Sequence, residues 1–264
     1  NVLDVLVPEG EYDLSENISY GDHPRQRLDI YRPAAAIASC PVIVFFYGGS
    51  WKSGERSQYR FVGEALTRRG HTVIVPDYRL YPDVTFPAFM NDAARAVGWV
   101  RDNLRDKAGN PRPVFLAGHS AGAHISALLA VDDRYLKAAE LSGENICGVI
   151  GIAGPYVFDP RKYRSTRRVF AGLENTDIAR PVRRISGKTP PFLLLHGKLD
   201  STVRSSNTVE FAAALQAAGN RAETRLFPDI GHSKILLSIS EPFDDIAPVN
   251  DLISEFVSRR AGCP

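Results

Sequence analysis

Ser120 stands between glycines in the stretch Gly118-His119-Ser120-Ala121-Gly122, at the end of an apolar run. A serine hydroxyl is a weak nucleophile at neutral pH. To attack an acyl carbon it needs a base within hydrogen-bond reach, an acid that orients the base, and donors for the charge developing on the attacked oxygen. Later segments offer the first two. Asp200 ends the string Leu193-Leu-Leu-His-Gly-Lys-Leu-Asp200, and His232 ends Phe227-Pro-Asp-Ile-Gly-His232. The order Ser, Asp, His is the one expected around a serine on a strand–turn–helix elbow. Asp229 is a rival acid, but it shares a short loop with His232 and is the poorer orienter. For the donors, Tyr47-Gly48-Gly49-Ser50-Trp51 follows the apolar run 42–46, and paired glycines let backbone amides approach a substrate closely. Gly48 or Gly49, with Ala121 just past the serine, are the candidate oxyanion donors. The alternatives are a serine that fills a tight turn and an ordinary glycine turn before it.

Other chemistries find little support. No HExxH string offers metal ligands, and no phosphate loop or strand-linked GxGxxG appears, so neither a metal nor a cofactor is expected. The net charge of +2 over 264 residues points to neither nucleic acid nor an anionic membrane, and composition alone names no partner; it is the serine chemistry that implies a small-molecule ester substrate. Apolar runs such as 41–46 are strand-sized and too short to cross a bilayer. Three cysteines without CxxC spacing argue against a disulfide framework or a zinc site. Cys40 and Cys147 are expected as buried small hydrophobes and Cys263 as a tail residue. His71, His119, His124 and His196 lie in or beside predicted elements, where packing or capping is the expected role, and His23 lies in a turn-like segment. The chain starts at Asn1, so a trimmed upstream segment is expected and localisation stays open.

The site residues must be carried by elements, and from residue 42 onward short apolar runs alternate with helical patterns. Strands are predicted at 42–47, 72–76, 114–118, 148–153, 192–196 and 222–227. Helices are predicted at 57–69, 87–107, 121–131, 205–218 and 249–260; in the second, Ala88, Asp92, Arg95 and Trp99 share a face. The order implies an α/β fold: a mostly parallel sheet with helices on both faces. Segments 18–20 and 27–31 look like strands with no helix between them, which predicts an antiparallel N-terminal edge. One domain spanning 1–264 is expected. The segment 155–189 breaks the rhythm and carries nine basic residues, from Arg161 to Lys188; it is a candidate lid, and its charge reads as a solvated face or a positive rim.

The stretches YGGSWKSG, VPDYRLYPDVTFP, GHSAGAH, PPFLLLHGKLDSTV and FPDIGH, spread over 47–232, resemble the α/β-hydrolase fold. Within it they are similar to esterases that look like hormone-sensitive lipase, arylformamidase (kynurenine formamidase) and bacterial feruloyl-esterase-like proteins. The opening YGDHPRQRLDIYRP resembles their first strands. Tyr47 departs from the histidine usual in the HGG string of that group, and Tyr81 with Asp83 departs from its DYRLAPE-like string. The resemblance implies that Asp77, Arg79 and Asp92 brace the oxyanion loop. It also implies an open pocket, since about forty residues precede the glycine loop. Trp51 and Phe158 are then pocket walls or core residues. Three functions follow: a serine carboxylic-ester hydrolase, an arylformamidase or feruloyl-type esterase, and a catalytically silent binding module. A homodimer is left open.

Overall fold

Five strands are unbroken runs buried along their whole length: β3 (Val42–Phe46), β4 (Thr72–Pro76), β5 (Val114–His119), β6 (Ile146–Ile152) and β7 (Phe192–Gly197). Strands covered by helices on both faces have this pattern. The computed structural model describes residues 12–34, 40–141, 146–260 and 263. In it these strands form the centre of an eight-stranded sheet of order β1-β2-β4-β3-β5-β6-β7-β8. β1 (Tyr12–Ser19) and β2 (Arg27–Pro33) flank one side, β8 (Ala222–Phe227) the other. β2 pairs antiparallel with β1 and β4; the remaining pairs are parallel. The two edge strands are only partly buried and carry charges, Asp13 and Glu16 on β1, Glu223 and Arg225 on β8, which discourage pairing with another chain.

Sheet order fixes where a site can open. α1 (Arg60–Arg68) leads from β3 to β4, one way along the sheet. α2 (Ala88–Asn103), α3 (Ala121–Val131) and α6 (Ser206–Ala217) make connections the other way. Right-handed crossovers of opposite direction place their helices on opposite faces, so α1 and the α8 it contacts (Val249–Ser258) lie across the sheet from α2, α3 and α6. The direction reverses between β3 and β5, and a crevice opens at the carboxyl ends of those two strands.

Several boundaries differ from expectation. β1 begins at Tyr12, well ahead of the predicted 18–20. α2 stops at Asn103 because Leu104 is extended (φ −113°, ψ 94°) and the Asp106 carboxylate then ties the amides of Ala108 and Asn110 into a turn, both at 2.8 Å. The helix buries Phe89, Met90, Ala93, Val97 and Val100 and leaves Arg95 exposed, so its apolar stripe is not the face that the sequence pattern picked. α4 (Asp133–Ala138), α5 (Pro181–Arg184) and α7 (His232–Leu237) have no predicted counterpart, being too short to display a helical period.

Cys147 and Cys263 form a disulfide with Cα atoms 5.7 Å apart, which corrects the reading of both as unpaired; Cys40 is buried and free. An odd count leaves room for one bridge, and a separation of 116 residues leaves no local spacing to notice. The ring of Phe256 on α8 packs at Gly148 on β6, which brings the chain end across to that strand. Among the described residues no helix is long and apolar enough to cross a membrane. Asn1 lies outside the described residues.

Candidate active site

Ser120 joins β5 to α3 with φ 55° and ψ −117°. For a residue with a Cβ this backbone is strained, by about 1–3 kcal/mol. The turn is held from two sides. The Ser120 N–H donates to the Ile152 carbonyl of β6 at 2.9 Å. α3 also presses so close to β3 that a Cβ on Gly122 would lie 1.8 Å from the Phe46 carbonyl oxygen, and one on Gly118 would lie 2.4 Å from the Gly122 backbone. The two glycines are therefore a steric condition of the elbow.

Asp200, in the loop after β7, and His232, the first residue of α7, converge on Ser120. His232 Nδ1 lies 2.6 Å from Asp200 Oδ2, and His232 Nε2 lies 3.0 Å from Ser120 Oγ. Asp200 Oδ1 accepts the amides of Thr202 and Val203 at 2.9 and 2.8 Å. Burial raises the Asp200 carboxyl, but hydrogen bonds from His196, His232 and the Val203 amide outweigh it and hold the group well below the usual carboxylate range. An ionised Asp200 can only accept, so His232 Nδ1 carries a proton and Nε2 is free to take one from Ser120. Asp229 is exposed, and it is Asp200 that His232 meets. His119, expected to pack, also donates from Nε2 to the His232 carbonyl at 3.0 Å, with the two rings 4.7 Å apart. Burial, then the charge of His232, pushes His119 down to about 3.

The loop after β3 lies against the elbow: a Cβ on Gly48 would sit 3.2 Å from the Ser120 Cβ. Gly49, Ser50 and Trp51 follow with φ of 114°, 54° and 59°. Ala121 opens α3, so its N–H is among those at a helix start without an intrahelical partner. Tyr47, the departure from the usual histidine, is clasped from all sides. Its hydroxyl donates to Asp77 at 2.7 Å and accepts from Arg25 at 2.8 Å, its carbonyl accepts from the Tyr78 hydroxyl at 2.8 Å, and its ring stacks on Tyr59 and Tyr78. Asp77 further binds the Arg56 amide and guanidinium at 2.8 and 2.6 Å. Arg79 and Asp92 form a paired contact one layer away, where Asp92 also accepts from Gln26. Asp77, Arg79 and Asp92 are the residues to which the resemblance gave a bracing role; Arg25 and Arg56 carry no local signal.

Ser120 and Ala121 line a cavity of about 600 Å³. Trp51 and Phe158 stand on its wall, stacked at 5.8 Å and 7°. Trp51 is also part of the core, touching Phe89, His124 and Phe170. The segment between β6 and β7 contributes Val157, Phe158, Lys162, Tyr163 and Arg180 to the wall, and the loop and helix after β7 contribute Val203, Arg204, Asn207 and Glu210. Of its nine basic residues only Lys162 and Arg180 line the cavity, and Arg180 is spent on Asp177 at 2.9 Å and on the Val157 carbonyl at 2.8 Å. Arg184 binds Asp132 at 2.9 Å. His124 on α3 donates to the Ala179 carbonyl at 2.7 Å and pins the segment; burial pushes this histidine down to about 4. Among the described residues no cluster of His, Cys, Asp and Glu is arranged to hold a metal.

The BD-FAE family profile matches residues 28–215, a stretch that includes Gly48, Gly49, Ser120 and Asp200. The isoprenylcysteine alpha-carbonyl methylesterase ICME of Arabidopsis thaliana is 32% identical over 88% of this chain and 61% of its own length. Esterase LipC of Mycobacterium tuberculosis is 30% identical over 83% and 60%. The chain thus spans about three fifths of the length of these relatives. A truncated carbohydrate esterase from gut microbiota superposes with a TM-score of 0.79 at 21% identity, covering 96% of this chain and 98% of that one. The propionate-bound Thermogutta terrifontis Est2 gives 0.76 at 26% identity, covering 96% of each. With the profile matching more than half of its residues and the sheet order described above, this chain has the α/β-hydrolase fold and belongs to the BD-FAE family.

Proposed function

We propose that the chain is a serine carboxylic-ester hydrolase for small acyl or aryl esters. One observation carries the reading: an unbroken hydrogen-bond line runs from Ser120 Oγ through His232 to Asp200, with Ser120 lining the cavity. In the first step His232 Nε2 takes the Ser120 proton as Oγ bonds to the acyl carbon. The amides of Gly49 and Ala121 hold the resulting oxyanion, and the imidazolium, steadied by Asp200, returns the proton to the departing alcohol. Water then attacks the acyl-enzyme by the same route and frees the acid. The esterase names of the relatives support the reaction class. A cavity of about 600 Å³ falls in the range of small-ligand sites. Lys162 and Arg204 share it with Asp159 and Glu210, which speaks against a uniformly positive rim. In this reading the chain is one domain and segment 155–189 is its lid.

Hydrolysis of p-nitrophenyl esters from acetate to palmitate, by wild type and Ser120→Ala, tests the proposal. Serine-dependent turnover is expected to peak at short chains, with kcat lowered about 10⁴-fold in the variant. Near-normal turnover by folded Ser120→Ala contradicts it. The stacked aromatic wall of Trp51 and Phe158 favours, as a second reading, an aromatic ester or aryl formamide. That reading expects kcat/KM on a feruloyl ester or N-formylkynurenine to exceed that on p-nitrophenyl acetate.

A further inference from the structure

Asp200 Oδ2 meets a second imidazole besides that of His232. His196, near the end of β7, is fully buried, and its Nε2 lies 2.8 Å from the Val203 carbonyl and 3.1 Å from Asp200 Oδ2. A carbonyl can only accept, so Nε2 carries a proton, shared between Val203 O and Asp200 Oδ2. On the other side of the ring the Thr208 hydroxyl of α6 donates to Nδ1 at 2.8 Å. Every polar atom of the imidazole is thus committed, in one orientation. Asp200 Oδ2 receives two imidazole N–H groups, from His232 and His196, while Oδ1 receives the two loop amides. A carboxylate gripped this way cannot rotate, and part of its charge is drawn toward His196.

We propose that His196 is a positioning residue of the reaction, which fixes the orientation and charge of Asp200 and through it the basicity of His232. The proposal rests on the reading of Ser120, His232 and Asp200 as the hydrolytic group. Its sign follows from the hydrogen bonds. Without the His196 donor, more of the Asp200 charge falls on the bond to His232, the imidazolium form gains, and the acid limb of kcat/KM moves to higher pH. The ionisable group packed on this pair is His119, whose ring lies 4.7 Å from that of His232; near them along the chain are Lys198, Arg204, Asp229 and Lys234, on the adjoining loops and α7. The last four are exposed and screened by solvent.

The test compares wild type, His196→Met, His196→Gln, Thr208→Val and Asp200→Asn, each checked for folding by circular dichroism, on a p-nitrophenyl ester across pH. His196→Met, which keeps volume but loses the donor, is expected to lower kcat about 10- to 100-fold with KM within about twofold, and to raise the acid-limb inflection. His196→Gln, which restores an N–H near the Nε2 position, is expected to recover most of both. Should His196→Met not fold, Thr208→Val carries the test: a fall in kcat of about threefold or more at unchanged KM is expected, since the ring loses its second anchor. A folded His196→Met, or failing that Thr208→Val, with wild-type kcat and pH profile overturns the proposal. Asp200→Asn separates the two failures: if it too leaves kcat intact, the hydrolytic reading falls; if it abolishes turnover while His196→Met does not, only the role of His196 falls.

Discussion

At the scale of single residues, the site is a set of groups whose hydrogen-bonding options have been reduced to one each. Asp200 accepts four bonds and stays ionised, His232 is left with one tautomer, and Ser120 faces the nitrogen without a proton. Asp200→Asn removes the acceptor that fixes that tautomer and should lower kcat about 10⁴-fold with the fold intact. Asp229→Asn, at an exposed position, should leave turnover within about twofold. Equal losses in the two variants would show that the acid has been misassigned. That Ser120, Asp200 and His232 would come together was legible because the roles proposed for them impose a chain order and flanking glycines. The contact of His196 with Asp200 was not, and that histidine was read as packing or capping. Its four-residue spacing from Asp200 gives a contact only because the loop after β7 turns back on itself, and its Thr208 anchor arrives on a different element.

At the scale of elements, the strained turn depends on how closely α3 can approach β3. Gly122→Ala would drive a Cβ into the Phe46 carbonyl, on strand backbone that has nowhere to move. We expect a loss of about 3 kcal/mol in urea unfolding, or failure to fold. Gly98→Ala in α2 is the control. Its nearest neighbour would be 3.6 Å away, and stability should rise by about 0.5–1 kcal/mol. A stable, active Gly122→Ala protein would mean that the elbow is looser than described. The central strands were legible since each is a continuous apolar run between turn residues, and α3 was found at its true bounds. The short helices α4, α5 and α7 were missed, and α2 was drawn past Asn103, because capping by Asp106 and the extended Leu104 outweigh the helical pattern there.

At the scale of the whole molecule, the alternation of strands and helices, with an antiparallel start, was enough to give a mostly parallel sheet with an antiparallel edge; the strand order, and with it the crevice at the β3–β5 reversal, comes from pairing between segments far apart in the chain. Tertiary closure was not legible: the Cys147–Cys263 bridge depends on α8 crossing β6. Three buried histidines also bear on the whole chain. Burial pushes His71 and His124 down to about 4 and His119 down to about 3, from an ordinary 6.5. As pH falls below 6.5 the unfolded chain protonates these rings and the folded one does not, so the unfolded state binds more protons and stability declines. The full contribution is present above about 6.5 and is lost toward about 4, on the order of 1 kcal/mol or more per histidine. Asp200, held low, adds to the loss only in still stronger acid. The urea midpoint should therefore drop between neutral pH and about pH 5; a flat midpoint would contradict the buried, neutral state of these rings. If Ser120 attacks with His232 as its base, treating the folded protein with a fluorophosphonate and mapping the adduct by peptide mass will reveal it. One adduct is expected, on the peptide holding Ser120, forming much more slowly in His232→Ala. No adduct, or an adduct elsewhere while ester hydrolysis continues, would contradict it.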